Sequence, residues 1–296
     1  MKKIFISGLI NVEHSLSVDS FPLQYSPVEY PFNKINSTIS GVGYNIVKAL
    51  KTLGDDAELF SIIGNDNNGL LVKSVLEKEK ISTANIKSLS STATAESIVV
   101  YDKEGRRKIY CDLKNLQDLS LDQNIKNIDD FDIAIITNIN FNRPLLTLFK
   151  EKEILIASDV HVLTNIDDEY NSDFMKYADI LFLSNEGIKG HEADFIKELY
   201  LRYKNKVVVV GCGSEGALAF IGQENKYIYE KAIAPLGINN TVGAGDALFS
   251  SFIHFYHKGE DIAHCLKAAV AFAGLKISSS GGSIGFVNEE TLKKYL

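Results

Sequence analysis

Cysteine is scarce in this chain of 296 residues: Cys111, Cys212 and Cys265 are scattered and odd in number. Such a set suits neither a disulfide framework nor a zinc knuckle, and it points to a reducing, cytoplasmic setting. Positive charge is also short, with 31 Lys and Arg against 38 Asp and Glu and a net charge of −7. Lacking a basic field, the chain is expected to bind neither nucleic acid nor an acidic membrane. Long apolar runs are missing as well; none approaches the ~18 residues of a membrane helix. The opening "MKKIFISGLI" resembles a short leader, but Asn11, Glu13 and His14 interrupt it and no small-residue cleavage site follows. It reads instead as the first strand of a buried sheet.

What is present is apolar material for a large core, 45% of the residues, and the chain reads as one α/β domain over residues 1–296. Short apolar runs without alternation recur: "KIFISGLI", "AELFSIIG", "DIAIITN", "EILIASDV", "DILFLSN" and "KVVVVGCG". Runs of this kind are strands buried on both faces of a parallel sheet. Amphipathic stretches separate most of them: "YNIVKALKTLG", "NGLLVKSVLEKEK", "DFMKYADI" and "HEADFIKELYLRYKN". The alternation implies a doubly wound, mostly parallel α/β sheet with a Rossmann-like core. Ligands of such sheets sit beyond the carboxyl ends of the strands.

Two segments break this rhythm. Residues 11–40 show polar–apolar alternation and no helix, and residues 94–113 read as a hairpin turning at "KEG". Both are expected to be half-exposed antiparallel strands, and together they would build a small β-sheet lid. No internal repeat or linker divides the chain further.

Two glycine motifs carry the chemistry. In "SGVGYNIVKALKTLG", Gly41 and Gly43 permit a tight turn before a helix that ends at Gly54. The turn is either a small-molecule site, with Asn45 offering its amide, or an ordinary strand-to-helix connection. A dinucleotide fingerprint is disfavoured because Ile46 holds the third glycine position, and no Walker A lysine is present.

In "NNTVGAGDALFSSF", Gly243, Ala244 and Gly245 strip side chains from the start of a helix. The first amides of a helix lack partners and face an anion with a favourable dipole. Helix capping by Asp246 would need one polar residue and would leave Gly-Ala-Gly unexplained. Gathered amides that stabilise a migrating phosphoryl group, beside a carboxylate that accepts the acceptor's proton, explain both. His254 and His257 lack a completing carboxylate pattern and read as surface or packing residues. The charge run "DKEGRRK" reads as a solvated turn.

Together, the two motifs and the lid resemble the ribokinase-like sugar and nucleoside kinases of the phosphofructokinase-B family. The resemblance spans the chain and is most specific at "NTVGAGDALFSSF". It implies Asp246 as catalytic base, with Gly243, Ala244 and Gly245 as the anion hole. Asn11, Glu13, Gly41, Gly43 and Asn45 would contact the acceptor. Asn185, Glu186, Gly213, Gly216 and Thr241 would face the nucleotide. Mg-ATP is the implied donor, with Mg2+ carried by its phosphates and no direct protein ligand assigned.

Several positions depart from the family pattern. Glu13 stands where an aspartate is usual. Asn240 replaces the acid before Thr241, which bears on activation by K+. Ile188 occupies the glutamate position of an "NxxE" pattern, and "VGCG" lacks a threonine.

The expected function is ATP-dependent phosphorylation of a primary hydroxyl on a small sugar, in a homodimer formed through the lid. Within the same class, a nucleoside kinase such as a pseudouridine kinase shares the asparagine and a similar first motif. A non-catalytic sugar or nucleotide sensor is the alternative from another class.

Overall fold

The structure is a computed structural model that describes residues 2–104 and 106–296. Gly105, the last residue of the expected "KEG" turn, lies outside the described residues. In chain order the elements are β1 (Lys3–Ser7), β2 (Asn11–Val18), β3 (Ile35–Ser40), α1 (Val42–Leu53), β4 (Ala57–Gly64), α2 (Asn67–Lys78) and β5 (Ile86–Leu89). There follow β6 (Ala95–Asp102), β7 (Arg107–Asp112), β8 (Phe131–Ile136), α3 (Arg143–Glu151), β9 (Leu155–Val162), α4 (Ser172–Tyr177) and β10 (Ile180–Ser184). The remainder comprises α5 (Glu192–Tyr203), β11 (Val207–Gly211), β12 (Gly216–Ile221), β13 (Lys226–Lys231), α6 (Ala244–His257), α7 (Ile262–Lys276) and α8 (Glu289–Leu292).

Nine strands form the main sheet in the order β13-β12-β11-β10-β9-β8-β1-β4-β5. Every neighbouring pair from β11 to β5 is parallel, and β12 and β13 close one edge antiparallel. All six apolar runs became strands of this sheet, and β1 shows why they lack alternation. Ile4 and Ile6 enter the core under α1, α6 and α7, while Phe5 enters the opposite core. A strand covered on both faces has no solvent side to mark with polar residues.

Four strands make a second sheet in the order β3-β2-β6-β7. The expectation of antiparallel strands holds for β2–β3 and β6–β7, but the joint between the two insertions, β2–β6, is parallel. Topology explains the difference. The parallel strands β1 and β5 both end at the carboxyl edge of the main sheet, so the strands that continue from them leave in the same direction. The register puts Asn11, Glu13, Ser97 and Arg107 on one face and Leu16, Ile35, Ile98 and Tyr110 on the other.

Candidate active site

Both glycine motifs lie at the carboxyl edge, because α1 and α6 pack on one face of the sheet with their N-termini together. Asn45, in the first turn of α1, donates through Nδ2 to Oδ2 of Asp246, in the first turn of α6, at 2.6 Å. Ser40 Oγ donates to Asn45 Oδ1 at 3.4 Å and so orients the amide.

Local backbone geometry separates the glycines. Gly41 has φ 104°, and a Cβ there would lie 2.5 Å from the Leu9 carbonyl oxygen. A Cβ on Gly43 would lie 2.7 Å from the Gly8 carbonyl carbon. Both glycines let the end of β1 pass close to α1, so they shape the site by packing. Gly243 precedes α6 with φ 78° and no side-chain cap, and a Cβ on it would collide with the Gly282 carbonyl. Gly245 is exposed and has no heavy atom within 4 Å of a Cβ position. The Ala244 amide bonds the Thr241 carbonyl at 3.2 Å. Among the described residues, the amides of Gly243, Gly245 and Asp246 donate to no other group of the protein. These amides and the open approach over Gly245 form a site suited to an anion.

Asp246 keeps part of its surface open to solvent. Burial raises its pKa above the ordinary carboxylate value, while the Asn45 hydrogen bond and the charge of His161 pull the other way. His161, next to last in β9, has φ 58° and donates its backbone N–H to Asp159 Oδ1 at 2.8 Å. A left-handed histidine in the cleft is a residue that sequence reasoning passed over; no local signal marks it.

On the small-sheet side, Asn11 and Glu13 are buried at the base of β2. Asn11 Nδ2 donates to Ser97 Oγ at 2.6 Å. The Glu13 carboxyl faces Gly282, which also lies against Ser40 and Asn45. On the opposite flank, Asn185 Nδ2 donates to Glu192 Oε1 at 2.8 Å. Ile188 leaves no carboxylate at the "NxxE" spacing, and the carboxylate beside Asn185 comes from further along the chain. Burial pushes the Glu192 carboxyl up, but the Asn185 amide and backbone N–H groups outweigh it and hold the pKa below the usual range.

Arg107 corrects the reading of "DKEGRRK" as a purely solvated turn. Its guanidinium donates to Thr241 Oγ1 at 2.7 Å and lies 3.7 Å from Glu186 Oε1, so β7 reaches across the cleft. Gly213 has φ 56° and open space around it, whereas Gly216 is buried with its Cβ position against the Glu230 carbonyl. Gly213 is thus open to solvent, and Gly216 serves the β12–β13 pairing.

His254 is buried and His257 half-buried, and both flank Asp55 as packing residues; His254 Nδ1 lies 2.8 Å from Asp55 Oδ2. Among the described residues, no group of three or more His, Cys, Asp or Glu side chains could hold a metal ion. None of the described helices is long and apolar enough to cross a membrane.

A helix start with free amides and a carboxylate beside it, at the carboxyl edge of a doubly wound sheet, has the chemistry that phosphoryl transfer requires. The sequence profile of the pfkB family carbohydrate kinases matches residues 1–289, and the chain belongs to that family of carbohydrate kinases. Among solved structures, a microbiome-derived acarbose kinase superposes with a TM-score of 0.88 at 22% identity, covering 100% of this chain and 99% of that one. An E. coli protein described as a putative ribokinase II, in complex with ATP and Mg2+, superposes with a TM-score of 0.81 at 21% identity, covering 100% of this chain and 99% of that one. The bifunctional protein HldE of Sulfurimonas denitrificans is 23% identical over 97% of this chain. The chain spans only 63% of that relative's length.

Proposed function

We propose that this kinase transfers the terminal phosphoryl group of ATP to a primary hydroxyl of a small sugar, with Asp246 as general base. The observation that carries this reading is Asp246 aimed by Asn45 beside the free amides of Gly243 and Gly245. The chain's own groups fit a magnesium-bound triphosphate. The free amides of Gly243 and Gly245, with Arg107 and Thr241, would hold its phosphates, and Asn185, Glu186 and Glu192 would serve the metal. Mg2+ would supply charge neutralisation during transfer.

The chain's residues supply positioning and proton acceptance. Asn45 holds one carboxylate oxygen of Asp246, leaving the other free to accept the hydrogen of the acceptor hydroxyl. The raised pKa makes the carboxylate a better base than an ordinary aspartate. Asn11 and Glu13 on the small sheet bind sugar hydroxyls, and Gly41 and Gly43 set the height of the floor beneath them. The small sheet over residues 11–40 and 94–113 acts as a lid, and Arg107 is the side chain by which it reaches the donor site. Its outward apolar residues, Ile35, Ile98 and Tyr110, are about half exposed or more and support pairing with a second copy.

An assay of ADP release with Mg-ATP across a panel of sugars and nucleosides tests the reading. Turnover on a sugar at least tenfold faster than on any nucleoside is the expected result. A nucleoside preferred over every sugar would move the acceptor to that class. Calorimetric binding of sugar without any ADP release would replace the kinase by a sensor.

A further inference from the structure

Lys276 ends α7 and is fully buried, an unfavourable environment for an ammonium group without partners. Its Nζ donates to the carbonyl of Val242 and, at 2.8 Å, to the carbonyl of Gly281. Neither partner is charged. Asp246 and Glu13 attract the ammonium from a distance and Arg107 repels it. Burial lowers its pKa to about 8, so the charged form prevails at neutral pH.

The two carbonyls mark a particular place. Val242 directly precedes Gly243, and Gly281 belongs to the segment whose next residue, Gly282, packs against Gly243, Ser40 and Asn45. Main-chain carbonyls converging on one positive centre are the surroundings that a potassium ion takes when it sheds its water. Here a free ion does not fit, because a side chain already occupies both oxygens. Asn240 adds no charge to the place, and its Oδ1 accepts from the Val242 amide at 2.8 Å. The site is thus built for a single cation that the chain carries itself.

We propose that Lys276 is a tethered monovalent cation: its ammonium, held by the Val242 and Gly281 carbonyls, clamps the turn leading into Gly243–Asp246 and takes the place of a free potassium ion. It is a positioning residue, acting on the anion site through the turn. The effect on nucleotide binding rests on the kinase reading above; the clamp itself does not.

The test compares KCl with tetramethylammonium chloride at equal concentration, using melting temperature and calorimetric binding of Mg-AMP-PNP. The wild-type protein should melt at the same temperature and bind equally in both salts. Lys276→Ala, with Lys276→Gln as a second variant that keeps a polar side chain, should melt lower and bind more weakly in tetramethylammonium. KCl should raise the melting temperature of both and restore about tenfold in affinity. A merely structural lysine would give variants that respond to the two salts alike, which overturns the proposal. So would a wild-type protein stabilised selectively by K+, or failure of both variants to fold in KCl. If wild type does not bind Mg-AMP-PNP at all, the kinase reading fails, and the melting comparison alone decides the role of Lys276.

Discussion

The two glycine motifs look alike in the sequence and do opposite things in the structure. Gly41 and Gly43 face backbone: Leu9 and Gly8 stand where their side chains would be. Gly245 faces nothing within 4 Å. In the first motif glycine lets two parts of the protein touch, and in the second it leaves open space beside the helix start. Gly243 belongs to both kinds, since its left-handed φ and contact with Gly282 set the direction in which the neighbouring amides point. A glycine-rich motif is therefore not evidence of a ligand until the space around each glycine is known.

Substitutions can break this contrast. The largest effect should come from Asp246→Asn, which keeps the Asn45 contact region polar and removes the base. Turnover on the acceptor identified by the panel should fall roughly 10²–10⁴-fold with little change in melting temperature. Normal turnover in that variant would remove the carboxylate from the mechanism.

Gly245→Ala comes next. A methyl group in the open space should cut turnover by about 10²-fold. Because the position lies in the first turn of α6, alanine should leave stability unchanged or raise it by up to about 1 kcal/mol. Lost stability together with retained activity would show that Gly245 is a packing glycine after all.

Asn45→Ala sharpens the link between the motifs. Losing a hydrogen bond to the carboxylate should raise the pKa of Asp246 further. A raised base pKa keeps the base protonated to higher pH, so the acid limb of the kcat/KM profile should move to higher pH than in wild type. A limb that stays in place would separate Asn45 from the proton-accepting step.

The smallest effects belong to the first motif. Gly43→Ala forces a methyl group onto Gly8 and should cost about 1–3 kcal/mol of folding stability in denaturant titrations. Gly54→Ala is its control: φ is +105° but no neighbour stands within 4 Å, so backbone strain alone should cost about 1 kcal/mol. Gly43 lies in α1 with no left-handed φ, so an unchanged stability in Gly43→Ala would show that the Gly8 contact gives way without cost.

Much of this could be read before any fold was known. The six apolar runs, the helix over Val42–Leu53 and the bare start of α6 each follow from local pattern. The active-site partners of these elements did not. Arg107 lay in a charge run whose simplest meaning was a solvated turn, and only the β6–β7 register turned it over the cleft. Glu192 sits outside the expected spacing from Asn185 because the segment between them turns back before α5 begins. Lys276 has the position of an ordinary helix-ending lysine, and nothing near it in the chain shows that its ammonium will be enclosed. The parallel joint of the small sheet was likewise hidden, since it depends on where β1 and β5 end in space.

Periodicity, glycine placement and helix-start chemistry were determined by the amino-acid order, because each depends on neighbours within a few residues. The meetings of Asn45 with Asp246, Arg107 with Thr241 and Lys276 with Val242 span 201, 134 and 34 positions. A hydrogen bond acts over roughly 3 Å, so whether such groups meet is decided by strand order, register and helix placement. Those belong to the folded chain as a whole.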